Sequence, residues 1–260
     1  MEPSAFVSEV YRRMSLRFPS PPTGLSFEQM DGDPMVALAC LQYKSVLPAN
    51  KEAAILDIGF GNGWFMAACV KLGYKNLYGA DFGVGGKGFI REWSSAIREL
   101  YEIESNIGDF LVNQPERYDF IHLSHVLEHV PKYTLLYVVD SMYWAMKKGG
   151  RLFLRCPNME GPCALSSMYV TLGHEYGFTG SNLSSLLSLC NFEGIEFHRF
   201  RDPMPGARRL LGSFLRWVII MWYAFLHRLF GVNYGKQFQK ELIISAVRGE
   251  LPPLFDEKHR

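Results

Sequence analysis

Four residues within a stretch of seven have the types and spacing of a ligand cradle: Asp57, Gly59, Gly61 and Gly63, in Asp57-Ile-Gly-Phe-Gly-Asn-Gly63. Glycines at alternate positions let a backbone turn sharply and approach a ligand with no Cβ in the way. The apolar run Ile55, Leu56, Ile58 before them reads as a buried parallel strand, and Trp64 to Leu72 after them has a helical pattern. The glycines therefore stand between a strand and a helix N-terminus, where free N–H groups favour an anionic or carboxylate-bearing ligand. Eighteen residues past Gly63, a second apolar run, Asn76-Leu-Tyr-Gly-Ala80, ends in Asp81. A carboxylate at that point can accept both hydroxyls of a ribose. Dinucleotide sites use G-x-G-x-x-G, and the spacing here is G-x-G-x-G, which sets this loop apart from them. The competing reading is a structural glycine turn ahead of a helix.

A second group of chemistry-bearing residues lies in Tyr118-Asp-Phe-Ile-His-Leu-Ser124 and His125-Val-Leu-Glu-His-Val130. Ser124 and His125 fall at the carboxyl end of a strand, where open α/β sheets bind ligands. Glu128 and His129 lie one turn on, and His122, mid-strand in an apolar run, reads as a core histidine. A further histidine stands in His174-Glu-Tyr-Gly-Phe-Thr179. Histidine suits proton transfer because its proton affinity lies near neutral pH. No spacing of His, Asp and Glu along the chain specifies a metal.

The run Asp57-x-Gly59-x-Gly61-x-Gly63 with Asp81 resembles the first motif, D/E-x-G-x-G-x-G, of the class I S-adenosylmethionine (SAM)-dependent methyltransferases. His125-Val-Leu-Glu-His-Val130 resembles the fourth motif of that family, and Lys147-Lys-Gly-Gly-Arg-Leu-Phe-Leu-Arg-Cys-Pro-Asn158 resembles its turn into the fifth strand. The stretch from His174 to Phe200 is similar to members that modify bacterial surface polysaccharides and related small molecules. The resemblance covers residues 50–200 and 240–248. It implies SAM as cofactor, held by Asp57, Gly59, Gly61, Gly63, Asp81 and Ser124. It also implies that Asp109 bonds the adenine amino group while Phe110 packs on the ring; an N-cap role for Asp109 is the alternative. For a hydroxyl acceptor it implies a base, His125 or His174, with Asn158 and Tyr176 toward the acceptor. The acceptor classes left open are a small molecule such as a phenol or acid, and a glycan or lipid-linked glycan. A methyltransferase-like interaction module without catalysis is the non-enzymatic alternative.

These residues need a scaffold. Apolar strands alternate with helical patterns from residue 54 to 200, which predicts one α/β domain: a Rossmann-like, mostly parallel seven-stranded sheet with helices on both faces. After Asp81 the pattern reads as a glycine-rich loop, Phe82 to Gly88, then a helix over Phe89–Leu100 and a short third strand around Glu104–Ile107. A helix ends at Met146-Lys-Lys-Gly-Gly150, the fifth strand is Arg151–Cys156, and 159–180 is loop. The sixth strand follows helix Ser181–Cys190 as Ile195–Phe200, and Glu241–Val247 is an antiparallel last strand that closes the sheet. Ahead of the core, Ser4–Met14 reads as a helix capped by Ser4, Phe18–Gly24 as a proline loop, and Pro34–Val46 as a helix. Tyr11, Arg12 and Arg13 reach the site or form a solvated face. The expected division is a helical cap at 1–50, a SAM-binding core at 51–200, an insertion at 201–240, and a last strand with tail at 241–260.

Within the insertion, Ala207–Phe230 is a long helix on which Arg209, Arg216, Tyr223 and His227 share one line and the rest is mostly apolar. Its uninterrupted apolar run, Trp217–Leu226, is too short to span a bilayer. It packs in the core or against a second copy in a homodimer, lies in a membrane interface, or walls the acceptor pocket. The chain has 260 residues, 48% hydrophobic, with a formal net charge of +1. That charge argues against a nucleic-acid partner. Five scattered cysteines without a C-x-x-C pair argue against zinc and a disulfide framework and fit a reducing cytoplasm. The start MEPSAFVSEVYRRM lacks the pattern of a signal peptide. The expected location is cytoplasmic, with peripheral contact at the inner membrane face.

Overall fold

A computed structural model describes residues 26–82, 88–199, 206–231 and 238–251, together with Glu9 and Arg13. Helices α1 (Phe27–Asp31) and α2 (Pro34–Tyr43) precede β1 (Ala54–Ile58), α3 (Trp64–Lys71), β2 (Asn76–Asp81) and β3 (Ile97–Glu102). Next come α4 (Ile107–Leu111), β4 (Tyr118–Ser124), α5 (Leu135–Ala145), β5 (Met146–Pro157) and α6 (Ala164–Met168). The order ends with α7 (Gly180–Leu189), β6 (Phe192–Phe197), α8 (Gly206–Leu229) and β7 (Glu241–Arg248). The expected helix Ser4–Met14 with its cap Ser4, the loop Phe18–Gly24, Tyr11, Arg12 and the glycine loop at 83–87 lie outside the described residues. Arg13 pairs with Glu9 at 2.6 Å, one turn away on an exposed surface.

The seven strands form one sheet in the order β3-β2-β1-β4-β5-β7-β6. β1 pairs in parallel with β2 and β4, and β7 is antiparallel to both β5 and β6. The predicted mostly parallel sheet with an antiparallel last strand is therefore the one observed, and β7 lies between β5 and β6. Strand alternation explains the two cores. Ile55 and Phe120 face one side with Phe153, and there α1, α2 and α3 supply Met30, Val36 and Phe65. Leu56, Ile58, Ile121 and Leu123 face the other side, covered by Leu111 of α4, Val138 of α5 and Leu183 of α7. Each such buried side chain contributes about 1.5–3 kcal/mol, so both sheet faces need their helices. All strands but β7 run the same way, so their carboxyl ends, the start of β7 and the loops that follow gather at one edge.

Several expectations are corrected. The third strand is Ile97–Glu102, not Glu104–Ile107, and the helix over Phe89–Leu100 is replaced by a 3₁₀ turn, Gly88–Trp93. Ile90, Trp93, Ile97 and Leu100 recur at helical spacing, yet Ile97 pairs beside Leu77 in the sheet. β3 is an edge strand, where the charged Arg98, Glu99 and Glu102 are tolerated and hide its strand character. A helix does end at Met146, the C-cap of α5, but the glycines do not terminate it: Met146–Gly150 enter β5 through an irregular register beside Tyr118 and Phe120. β6 is Phe192–Phe197, three residues earlier than expected, because Phe192 is buried in the core and pairs with Arg248. Within 159–180 the chain also forms the short helix α6.

Candidate active site

The three motif glycines all adopt left-handed backbone, with φ of 70°, 53° and 79°. A Cβ on Gly59 would lie 2.4 Å from Val126 Cγ2, and one on Gly63 would lie 2.9 Å from the Trp93 ring. These two glycines let the β1 loop close against its neighbours. Gly61 is different: a Cβ there would meet no atom closer than the Gly59 carbonyl at 4.0 Å. Its N–H donates to Asp81 Oδ2 at 2.9 Å, which places the β2 carboxylate against the loop. Gly63 is the N-cap of α3 and has no side chain to cap with, so the amides of that helix start are left toward the loop.

Asp57 does not face the loop. It is buried, and its Oδ1 lies 2.7 Å from His122 Nδ1. Burial pushes the Asp57 carboxyl up, and His122 opposes that shift. His122 Nε2 is 2.9 Å from the Tyr43 hydroxyl, and its ring stacks on Phe65 at 3.8 Å. His122 is thus a core histidine as expected, and its partner is the motif aspartate. Tyr43 hydrogen-bonds Arg155 in turn. Arg155 Nε donates to Glu241 Oε2 at 2.8 Å. Glu241 Oε1 is 3.2 Å from His125 Nε2, and His125 Nδ1 is 3.1 Å from Glu128 Oε1. A continuous polar chain therefore runs from Asp57 at the end of β1 to the turn after β4.

His125 has a left-handed backbone, φ 57°, unusual for a residue with a Cβ, and its N–H donates to the Arg155 carbonyl at 2.8 Å. That kink turns the chain off β4 and aims the imidazole between two carboxylates. Burial lowers its pKa, but the hydrogen bonds and charges of Glu128 and Glu241 outweigh that and raise it to about 9. Glu241 is held down to about 2: burial opposes this, and His125 and Arg155 win.

Glu128, His129 and His174 converge beyond His125. The rings of His129 and His174 are 4.7 Å apart. Burial keeps His129 below the ordinary histidine range. The His174 loop is pinned here because the amides of Glu175 and Tyr176 both donate to the Glu128 carbonyl, at 2.8 and 3.2 Å. Tyr176 packs edge-on to Phe178 at 5.1 Å, and its hydroxyl accepts from Asn182 at 3.4 Å. Asn158 is buried and its amide donates to the Gln239 carbonyl while its oxygen accepts from Glu160 N–H, so it ties the end of β5 to the entry of β7. Ser124 is the last residue of β4 and lies opposite Arg155. Asp109 stands seven residues past the end of β3, in the first turn of α4. The N-cap is Asn106, and the Asp109 carboxylate accepts from Ser105, Asn106 and the Tyr137 hydroxyl. Phe110 packs against Tyr101 at 5.1 Å. Sequence reasoning passed over Tyr43, Arg155 and Glu241. Glu241 carried a signal: the first residue of an antiparallel strand sits at the same sheet edge as the last residue of its parallel neighbours.

Residues 35–196, more than half of the chain, match the methyltransferase domain family. The chain belongs to the methyltransferase family. Its relatives include the ubiquinone biosynthesis O-methyltransferase of Xylella fastidiosa strain M23, 30% identical over 181 residues, 67% of this chain and 71% of the relative. The enzyme of the same name from Pseudomonas savastanoi pv. phaseolicola is 27% identical over 131 residues, 47% of this chain. That match spans 50% of the Pseudomonas relative's length. Among solved structures, a SAM-dependent methyltransferase from Archaeoglobus fulgidus shares the fold with a TM-score of 0.59 at 19% identity, covering 85% of this chain and 96% of that one. The 1,6-didemethyltoxoflavin-N1-methyltransferase of Burkholderia thailandensis superposes with a TM-score of 0.55 at 14% identity, covering 95% and 87%. In this member of the family the glycine loop and Asp81 lie at one side of the sheet edge, and Glu128, His129 and His174 follow the neighbouring strand β4.

Proposed function

We propose that the protein is a SAM-dependent methyltransferase acting on a hydroxyl group. The observation that carries this reading is the loop around Gly61, open where a Cβ would stand and closed by Asp81. The residues present fit the cofactor. Gly61 admits close approach, the α3 amides suit a carboxylate, and Asp81 suits the ribose hydroxyls. Asp109 and Phe110 serve the adenine, and Ser124 borders the cofactor at the end of β4. The bound cofactor supplies a methyl group already activated on a sulfonium. The chain's own residues orient the acceptor and handle its proton. Residues 51–200 are the cofactor-binding core in this reading, 1–50 cap it, 201–240 are an insertion, and 241–260 are the last strand and tail.

A hydroxyl attacks poorly while it keeps its proton, so a basic group must stand near it. With its pKa near 9, His125 is protonated at neutral pH and holds Glu128 and Glu241 in place rather than taking a proton. The proton therefore goes to the His174 side of the cluster, with Tyr176 and Asn158 shaping the acceptor wall. The O-methyltransferase names of the curated relatives support oxygen as the methylated atom.

The acceptor we favour is a small hydroxyl compound carried at a lipid surface, at the cytoplasmic face of a membrane. Its support is α8, whose Phe214, Trp217, Val218, Met221, Trp222 and Phe225 are all exposed along one stripe. A lipid-linked glycan is the alternative acceptor, supported by the likeness of the His174 loop to that of polysaccharide-modifying members.

Calorimetry should detect SAM binding to the wild-type chain. Asp81→Ala should weaken it about tenfold or more, the loss of charge-assisted hydrogen bonds. Labelled SAM with a panel of phenols and lipid-linked glycans should then yield an O-methyl product. Preference for NAD over SAM would overturn the reading.

A further inference from the structure

Glu128, His129 and His174 each present a ligating atom within 4.8 Å of those of the other two. The far side of each is already held. His129 Nδ1 meets the Gly173 carbonyl at 2.8 Å, and His174 Nδ1 meets the Met168 carbonyl at 3.1 Å. A carbonyl only accepts, so both rings carry their hydrogen on Nδ1 and their lone pair on Nε2. Glu128 Oε1 is taken by His125, but Oε2 is buried with no hydrogen-bond partner, on a residue only 2% exposed. Leaving a buried carboxylate oxygen without a donor costs on the order of 1–3 kcal/mol or more. Such an orphan calls for a donor or cation at Oε2 that no described residue supplies.

We propose that Glu128, His129 and His174 bind a borderline divalent cation of the Zn²⁺ class, with a coordination position left for the acceptor hydroxyl. Two imidazoles and a carboxylate form a ligand set that suits such an ion and leaves a position open. Histidines whose Nδ1–H rests on a backbone carbonyl, and a carboxylate oriented by a third group, form the outer support that fixes metal ligands. The site joins two segments, the turn after β4 and the loop before α7, which the Glu175 and Tyr176 amides already lock together. The role of the ion rests on the methyltransferase reading. A hydroxyl bound at the open position gives its proton to water more readily than a free one, so with the ion bound His174 serves as a ligand in place of the base role it has in the metal-free reading.

The test uses the full chain carrying Cys163→Ser, which removes an exposed thiol. Equilibrium dialysis should find one Zn²⁺ per chain. Co²⁺ in its place should give visible ligand-field absorption without a thiolate charge-transfer band. Loss of outer support alone weakens metal sites about 10–100-fold, so Glu128→Gln and His174→Ala should each weaken binding about 100-fold or more. Because these variants could also lose the fold, the unsubstituted site is tested as well: Zn²⁺ should raise its melting temperature and a chelator should reverse the rise. No stoichiometric zinc, a thiolate band, or unchanged affinity in folded variants would overturn the site. SAM binding, measured separately, keeps the two ideas apart. SAM bound without zinc leaves the methyltransferase with His174 as base; zinc bound without SAM leaves the cation site and removes the methyltransferase reading.

Discussion

Gly59 and Gly73 share a left-handed backbone, with φ of 70° and 85°, but not a neighbourhood. Gly59 stands against Val126, whereas a Cβ on Gly73 would meet nothing within 4 Å. Alanine at Gly73 should therefore bear only the backbone strain, about 1–2 kcal/mol. Alanine at Gly59 adds a clash between the β1 and β4 loops, for a total of roughly 2–5 kcal/mol. Urea denaturation of the two variants measures the difference, and equal losses would mean that Val126 moves aside. The comparison matters because the same closure brings the glycine loop beside the turn that carries His125 and Glu128.

Helix α7 shows how an element is held to the site. Thr179 caps it by accepting from Asn182 N–H at 3.2 Å, and Asn182 Oδ1 accepts from Thr179 N–H at 2.8 Å, a reciprocal capping box. Asn182 also reaches Tyr176, so the cap fastens the loop that bears His174. Thr179→Ala should cost about 1 kcal/mol of stability and should speed amide exchange from Gly180 to Asn182. Exchange that is unchanged there would show that Leu183 and Leu187, both buried, hold the helix start by themselves.

At the scale of the molecule, Arg155, Glu241, His125 and Glu128 tie β5 and β7 to the turn after β4 across a gap of 116 residues in sequence. Their titration gives a pH window. The pKa of His125 is raised from 6.5 to about 9, so its contribution is full below pH 6.5 and is lost as pH rises through 9. That of Glu241 is lowered from 4.5 to about 2, so its contribution is full above pH 4.5 and is lost as pH falls through 2. The melting temperature should decline from pH 6.5 to 9, and His125→Asn, a residue that tolerates the left-handed backbone, should flatten that decline. An unchanged slope in the variant would assign the decline to other groups. α8 is the second feature at this scale. Among the described residues, ring contacts from Tyr223 and His227 to Phe238, at 5.7 and 5.2 Å, join it to the rest of the chain. No described helix is long and apolar enough to cross a membrane. Vesicle sedimentation should show binding that falls about 100-fold or more when Trp217, Trp222 and Phe225 become serine. Absence of binding in the wild type would leave α8 to a second copy of the chain.

The sequence by itself determined the parts set by local physics. Apolar runs marked β1, β2, β4 and β7, and alternate glycines marked the loop, because burial and left-handed backbone restrict residue type at each position. The parallel α/β sheet followed from their alternation with helical patterns. What depends on a distant partner was decided by tertiary structure. β3 became a strand through pairing beside Leu77, against its own helical spacing. Asp57, legible as a motif residue, became the partner of His122 because β1 and β4 are neighbours. The protonated state of His125 depends on Glu241, which no local pattern places beside it. Glu128 and His174 lie 46 positions apart, and only the loop pinned to the Glu128 carbonyl brings their ligating atoms together.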